Sequence, residues 1–219
     1  MKILSINVSE PQKVIFNGKE LITSIYKKPV SNLVHVSSQG IDGDRQADLT
    51  VHGGYDKAVY AYSYAHYEKW ATEMKKEFNE YGLVGENLTI DDFNESEINI
   101  GDQFKINECI LQVSQPRIPC YKIGIKMNSR EFPKMFSQSG LLGSYLRVIQ
   151  DGNITTGDEM QKIHNEECSM SLKDVANILF ADIKNTELMK KALNIKFLSE
   201  EIKEKFRERL MKLGDFSSL

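Results

Sequence analysis

The stretch from Lys57 to Phe78, KAVYAYSYAHYEKWATEMKKEF, changes its hydrophobic period partway along. Val59, Ala61 and Ser63 alternate with Tyr60, Tyr62 and Tyr64, the period of two that belongs to a strand. Tyr67, Trp70, Ala71, Met74 and Phe78 then fall at i, i+3, i+4, i+7 and i+11, the stripe of an amphipathic helix, and Gly82 stands just beyond as a stop. A strand running into one clear helix is the nucleus from which the fold is read.

On both sides the texture is that of short strands. Leu4, Ile6 and Val8 alternate with polar residues, and Val34 and Val36 flank His35. Cys109 to Val113 and Tyr145 to Gln150 read as later strands, and Asp151-Gly152 reads as a two-residue hairpin turn leading to Ile154. Gly-Asp turns are expected at Gly101-Asp102 and Gly157-Asp158, a likeness too short for a repeat architecture. From Met1 to about Ile163 the chain is therefore β-rich, and the helix stripe is expected to cover an opening or face of the sheet.

After the polar joint HNEECSMS (164–171) the pattern turns helical. Ser171 with Asp174 is a capping start before Leu172, Val175, Ala176 and Leu179. Leu188, Met189, Ala192 and Leu193 form a second stripe. Ser199, Glu200 and Glu201 precede Ile202, Phe206 and Leu210, with Arg209 and Lys212 near the end and Gly214 after it. Two domains are expected, a β domain over 1–165 and a three-helix appendage over 166–219. The appendage holds ten Lys/Arg and ten Asp/Glu, a balance that argues against a nucleic-acid arm and fits a solvated bundle, a lid or a docking surface.

The chain has 219 residues, 41% hydrophobic and 27% charged, which excludes intrinsic disorder. Lys+Arg 28 against Asp+Glu 31 gives a net charge of -3, so the overall field does not draw nucleic acid and any anion site must be local. The opening MKILSINVSE carries no signal-peptide core, and no apolar run approaches the roughly 18 residues of a membrane span, so the cytoplasm is the expected location. Cys109, Cys120 and Cys168 make neither a disulfide framework nor a CxxC pair.

Three clusters bear chemistry. The first runs from Gly40 to Tyr60 and contains Gly43-Asp44-Arg45 and His52-Gly53-Gly54 followed by Lys57. Its glycines free the backbone to approach an anion, and Arg45, His52 and Lys57 add cationic or donor groups. It matches neither a Walker loop nor a dinucleotide fingerprint. Asp44, Asp48 and His52, spaced four apart, also read as a divalent-metal set, but the glycines oppose a continuous helix and turn carboxylates are the favoured reading. The second cluster, Gly85-Glu86-Asn87-Leu88-Thr89, offers Asn87 and Thr89 to a heterocycle or phosphate edge, or is a simple turn. The third, Val113 to Lys122, presents Cys120 from a loop stiffened by Pro116 and Pro119, between Arg117 and Lys122. Cationic neighbours favour the thiolate, the form that acts as nucleophile or metal ligand. Cys109, alternating with Leu111 and Val113, reads as core. His35, His66 and His164 read as structural or solvent residues, and a Cys120–His52 nucleophile pair stays open.

Taken together, Gly43-Asp44-Arg45, His52-Gly53-Gly54 with Lys57-Ala58-Val59-Tyr60, Gly85 to Thr89, and Gln115-Pro116-Arg117-Ile118-Pro119-Cys120 resemble the MOSC domain family, named for the C-terminal domain of molybdenum cofactor sulfurase. The helical tail resembles the extension of the bacterial YiiM-like branch. The resemblance implies a mainly β, β-barrel-like domain with a three-helix appendage, loops that hold the molybdenum cofactor (a molybdopterin), and a single cysteine on the metal, the position that Cys120 matches. A soft thiolate suits such a ligand. Arg45, His52, Lys57, Asn87, Thr89, Arg117 and Lys122 are then candidates for phosphate and pterin contacts. The related enzymes reduce N-hydroxylated compounds, including N-hydroxylated base analogues. Three cysteines, one already claimed, cannot hold a four-Cys cluster, so a separate flavin or iron–sulfur reductase is implied as electron donor, with the helical tail as its dock. No nucleic acid or membrane partner is expected. Two other classes stay open: a sulfur carrier with a persulfide on Cys120, and a non-catalytic carrier of the cofactor.

Overall fold

The computed structural model describes residues 1–47, 53–167 and 169–215. Thirteen strands are present among them: β1 (Ile3–Val8), β2 (Gln12–Phe16), β3 (Lys19–Thr23), β4 (Lys28–Val30), β5 (Val34–Ser37), β6 (Gly40–Ile41), β7 (Val59–Ser63), β8 (Leu88–Ile90), β9 (Gln103–Ile106), β10 (Cys109–Pro116), β11 (Ser144–Gln150), β12 (Gly152–Ile154) and β13 (Gln161–His164). The α-helices are α1 (Ala65–Met74), α2 (Tyr121–Lys126), α3 (Phe132–Ser139), α4 (Leu172–Phe180), α5 (Thr186–Leu193) and α6 (Glu200–Lys212), and a 3-10 turn spans Tyr55–Lys57.

Eight strands pair in the order β13-β9-β10-β11-β7-β8-β1-β4. Neighbours are antiparallel except β7 and β8, which run parallel because α1 and the loop after it carry the chain back between them. A second sheet, β12-β5-β6, and the β2-β3 hairpin complete the β structure. Among the described residues β13 and β4 are edges of the large sheet, so the barrel-like curve is not closed by strand pairing. No described helix is long and apolar enough to cross a membrane.

Burial explains the texture read from the sequence. Ile6, Leu88, Phe104 and Leu111 of the large sheet and Val36 of the small one form one continuous apolar cluster with Val175, Ile178, Met189, Ile202, Phe206 and Leu210 of the last three helices. These helices thus bury their stripes on the sheet, and each starts at a side-chain cap. Ser171 Oγ accepts from Asp174 N, Asn185 Oδ1 from Leu188 N, and Ser199 Oγ from Ile202 N. A second cluster forms around α1 and α3, where Trp70 packs on Phe132 and Phe136 and its indole N–H donates to the Tyr62 hydroxyl at 2.6 Å.

Two local expectations give way. The helix begun at Ala65 stops at Met74, because Lys75 turns left-handed (φ 52°) and its N–H closes back onto Ala71 and Thr72; Phe78 packs on the second cluster from beyond the helix. Asp151-Gly152 does not make a hairpin. β11 and β12 do not pair; β12 leaves for the other sheet and pairs with β5, Gly152 opposite Val36. Glycine is required there by proximity, since a Cβ would stand 2.6 Å from the Cys109 backbone nitrogen. Local turn chemistry loses to tertiary packing.

Because helices and sheet share one cluster, Phe206→Ala is expected to cost about 3–5 kcal/mol of total stability. Urea unfolding followed by helix circular dichroism and by Trp70 fluorescence checks it: both midpoints should fall together, whereas a shift confined to the helical signal would separate the tail from the sheet.

Candidate functional site

β10 ends at Pro116, and the next residues, held by Pro116 and Pro119, lead to Cys120 at the start of α2. There a surface-open cavity gathers residues from distant segments: Ser24 and Ile25 after β3, Lys27, Gln46, Tyr60 of β7, Gly85 and Asn87, Arg117, Cys120, Lys122, and Tyr145 of β11. The enclosed space is about 80 Å³, room for one polar end of a ligand. Its described lining holds three cations, Lys27, Arg117 and Lys122, and no carboxylate.

Each cation is fixed differently. Arg117 is 7% exposed, donates to the Val84 carbonyl, and lies 4.7 Å from the Tyr60 ring centroid. Burial opposes its charge, but Tyr60, Tyr145 and Cys120 beside it more than offset that and push its pKa above the usual guanidinium range. Lys27 is nearly enclosed and pairs with Asp44; burial nevertheless pulls its pKa below the ordinary lysine value, with Asp44 opposing. Lys122 reaches the Ile22 carbonyl at 3.2 Å. Burial raises the Tyr60 and Tyr145 hydroxyls well clear of neutral pH, with Arg117 opposing in both, so both remain protonated. Tyr60 donates its proton to the Leu142 carbonyl at 2.8 Å.

Cys120 is half-buried in this wall, whereas Cys109, the first residue of β10, is fully buried, and burial pushes its thiol up to about 12. Two further polar atoms of the lining, Ser24 Oγ and Gln46 Oε1, are buried and have no hydrogen-bond partner. Buried polar groups are normally paired, so these atoms point to a ligand that would satisfy them.

The residues named from sequence divide. Cys120, Arg117, Lys122 and Asn87 line the cavity. Asn87 is also a structural brace, donating to Asp44 and accepting from Tyr60 N. Asp44 is not a turn carboxylate alone, since it also holds Lys27 and accepts from Ser9 N at 2.9 Å. Thr89 is fully buried and bonded to Glu86 and Asn7, behind the lining. Arg45 points to solvent beside Glu10. Lys57 pairs with Glu201 of α6 at a neighbouring cavity. His52 and Asp48 lie outside the described residues, as does Cys168, and no group of three or more potential metal ligands is gathered among the rest. His66 bonds Glu95, His35 Asn153 and His164 Glu166, structural contacts as read.

Sequence reading missed Ser24, Lys27, Gln46, Tyr60 and Tyr145 as lining. Gln46 directly follows Arg45 in a segment already singled out, and Tyr60 stood in the alternating strand; nothing local marked Ser24 or Lys27. A thiol and three basic side chains, with the Ser24 hydroxyl left unsatisfied, suit in one cavity an anionic ligand with a soft centre.

A model described as MOSC domain matches residues 48–161, and one described as YiiM-like, 3-alpha helix domain matches residues 170–213. The protein YflK of Bacillus subtilis (strain 168) is 34% identical over 207 residues, 94% of this chain and 93% of that protein. A protein named reductase from Gibberella moniliformis is 32% identical over 167 residues, which are 75% of this chain and 30% of that one. The crystal structure of YiiM from Geobacillus stearothermophilus is similar with a TM-score of 0.81 at 31% identity, covering 95% of this chain and 98% of that chain.

Behind the cavity Lys126 donates to the Ile25 carbonyl at 3.0 Å and to that of Gly82. Burial, with help from Arg117 and Lys27 and against Glu86, lowers its pKa to about 8 from 10.5. Between those two values the unfolded chain holds a proton that the folded chain has released, so wild-type stability should rise with pH across that window. Lys126→Met removes the contribution. Urea midpoints at several pH values check this, the wild-type and variant curves diverging as pH climbs above about 8.

Proposed function

Since the chain belongs to the MOSC family and ends in a YiiM-like three-helix domain, we propose that it is a molybdenum-cofactor-dependent reductase of N-hydroxylated compounds, with Cys120 as the protein ligand of the metal. The observation that carries this reading is the donor set of one cavity: a half-buried thiol among three cations, with no carboxylate in the described lining and two unsatisfied polar atoms. These residues fit the group that the family implies. A thiolate is the soft donor that such a metal takes, and the cations suit its phosphate and dithiolene charges. The enclosed space takes one end of the cofactor. When bound, the cofactor supplies the redox chemistry that removes the N-hydroxyl oxygen.

The chain's own residues then have separable tasks. Arg117, charged at every working pH, holds anionic oxygen and places a positive charge beside Cys120, a neighbour that favours thiolate over thiol. Lys27 and Lys122 add charge at the wall, and Asp44 keeps Lys27 in place. Ser24 and Gln46 offer hydrogen bonds that orient the bound group. Tyr60, committed to Leu142, is a wall rather than a proton donor, while Tyr145 keeps its proton and can donate it to oxygen in the cavity. Electrons come from a separate flavin or iron–sulfur reductase, and a small N-hydroxylated molecule is the substrate.

In a host that makes the cofactor, wild type and Cys109→Ser should each hold about one molybdenum per chain and reduce an N-hydroxylated base analogue with an artificial electron donor. Cys120→Ser should retain less than about a tenth of both. Elemental analysis beside turnover decides. A Cys120→Ser protein with full metal and activity would overturn the ligand assignment, and sulfane sulfur on Cys120 in metal-free, inactive protein would replace the reductase with a sulfur carrier.

A further inference from the structure

A cavity of about 380 Å³, sharing no described lining residue with the Cys120 cavity, is bounded by Tyr64, Ala65, Tyr67, Glu68, Ala71 and Phe78. That volume falls within the roughly 300–1,000 Å³ typical of small-molecule sites. Tyr64 caps α1 with helical dihedrals, so Tyr64, Tyr67, Glu68 and Ala71, at i, i+3, i+4 and i+7, share one face of the helix. Phe78 closes the cavity from the chain beyond. The Tyr64 and Tyr67 ring centroids are 4.9 Å apart with planes inclined at 45°, and Tyr81 braces the Tyr64 ring at 5.6 Å. Tyr64 is 43% exposed, so its ring is open to a ligand. The Tyr67 hydroxyl is turned inward, donating to Glu86 and accepting from Leu83 N at 3.1 Å, so this residue offers the cavity only hydrocarbon.

Charge defines what the cavity would take. Glu68 is the one charged side chain of the described lining, and it is exposed. No described residue gives its carboxylate an ion pair or a hydrogen bond, and the adjacent Lys69 is taken by Glu73 at 2.9 Å. A carboxylate without a counter-charge, among three aromatic residues and two alanines, attracts a cation through both its own charge and the ring quadrupoles. A primary ammonium brings three N–H donors that need acceptors, and the lining side chains offer few. A quaternary ammonium brings none, and its methyl groups suit ring and alanine surfaces.

We propose that the cavity along α1 binds the trimethylammonium group of a small, free organic cation among Tyr64, Tyr67 and Phe78, with Glu68 as its counter-charge. This site uses neither Cys120 nor any described residue of the first cavity, so it stands or falls apart from the reductase reading.

The probe is choline, titrated onto the full-length chain and followed by ligand-observed NMR. Its control is 3,3-dimethyl-1-butanol, which has the same shape with an uncharged carbon in place of the nitrogen. Saturable choline binding, at least about ten-fold tighter than that of the neutral analogue, is expected in wild type and equally in Cys120→Ser. Tyr64→Leu should weaken choline at least about ten-fold, and Glu68→Gln about three-fold, while neither changes binding of the neutral analogue to the same extent. Absence of saturable choline binding, equal affinity for both probes, or unchanged choline binding in Tyr64→Leu would overturn the proposal. So would sedimentation with phosphatidylcholine vesicles by a chain that ignores free choline, which would move the site to a lipid surface. Should a variant not fold, the two probes on wild type still decide.

Discussion

The structure depends on accommodating three basic side chains inside a protein. Arg117, Lys27 and Lys126 converge on one region, and a buried charge without partners is far more costly than any contact that it makes. Solvation comes from the fold itself: the Val84 carbonyl for Arg117, the Ile25 and Gly82 carbonyls for Lys126, and Asp44 for Lys27. Supplying those carbonyls presses residues 25–27 against residues 82–85. A Cβ at Gly82 would stand 2.9 Å from the Lys27 carbonyl oxygen, and one at Gly85 equally close to Ile25, with φ of 77° and 85° at the two glycines. The glycines there serve the cations. Glu86 completes the arrangement from behind, fully buried and held by Tyr67, Thr89 Oγ1 and Val84 N.

How much of this was legible follows from the range of each interaction. Strand alternation, the stripe of α1 and the capped starts of α4 and α6 are local patterns, and the structure keeps them. The hairpin read at Asp151-Gly152 was local too, but the crossing to β5 is set by the close approach of Cys109, which no neighbouring residue announces. The same division holds at the site. Arg117, Cys120 and Lys122 adjoin in sequence and were readable together. Ser24 and Lys27 reach the cavity only through the pairing of β1 with β4 and β8, so their spacing from Cys120 encodes nothing. At Arg45-Gln46 the charge drew attention, yet the neutral neighbour lines the cavity while Arg45 lies in solvent.

A chain of net charge -3 thus makes a cationic cavity by position rather than by composition. It sets beside that cavity a second one, where Lys57 pairs with Glu201. Tyr145 feels both. Burial raises its pKa first, Arg117 opposes, and Cys120 and Glu201 add to the rise from opposite chain segments. Removing the negative charge at either Cys120 or Glu201 eases ionisation of the phenol, but the burial cost remains in each case. With burial the largest cause, the hydroxyl stays protonated near neutral pH. Because Glu201 stands in the first turn of α6, where a negative charge is favoured by the helix, its pairing with Lys57 also fixes where the helical segment meets the sheet. The three-helix segment is in this way part of the electrostatic surroundings of Tyr145, and through Tyr145 of the wall that holds Cys120.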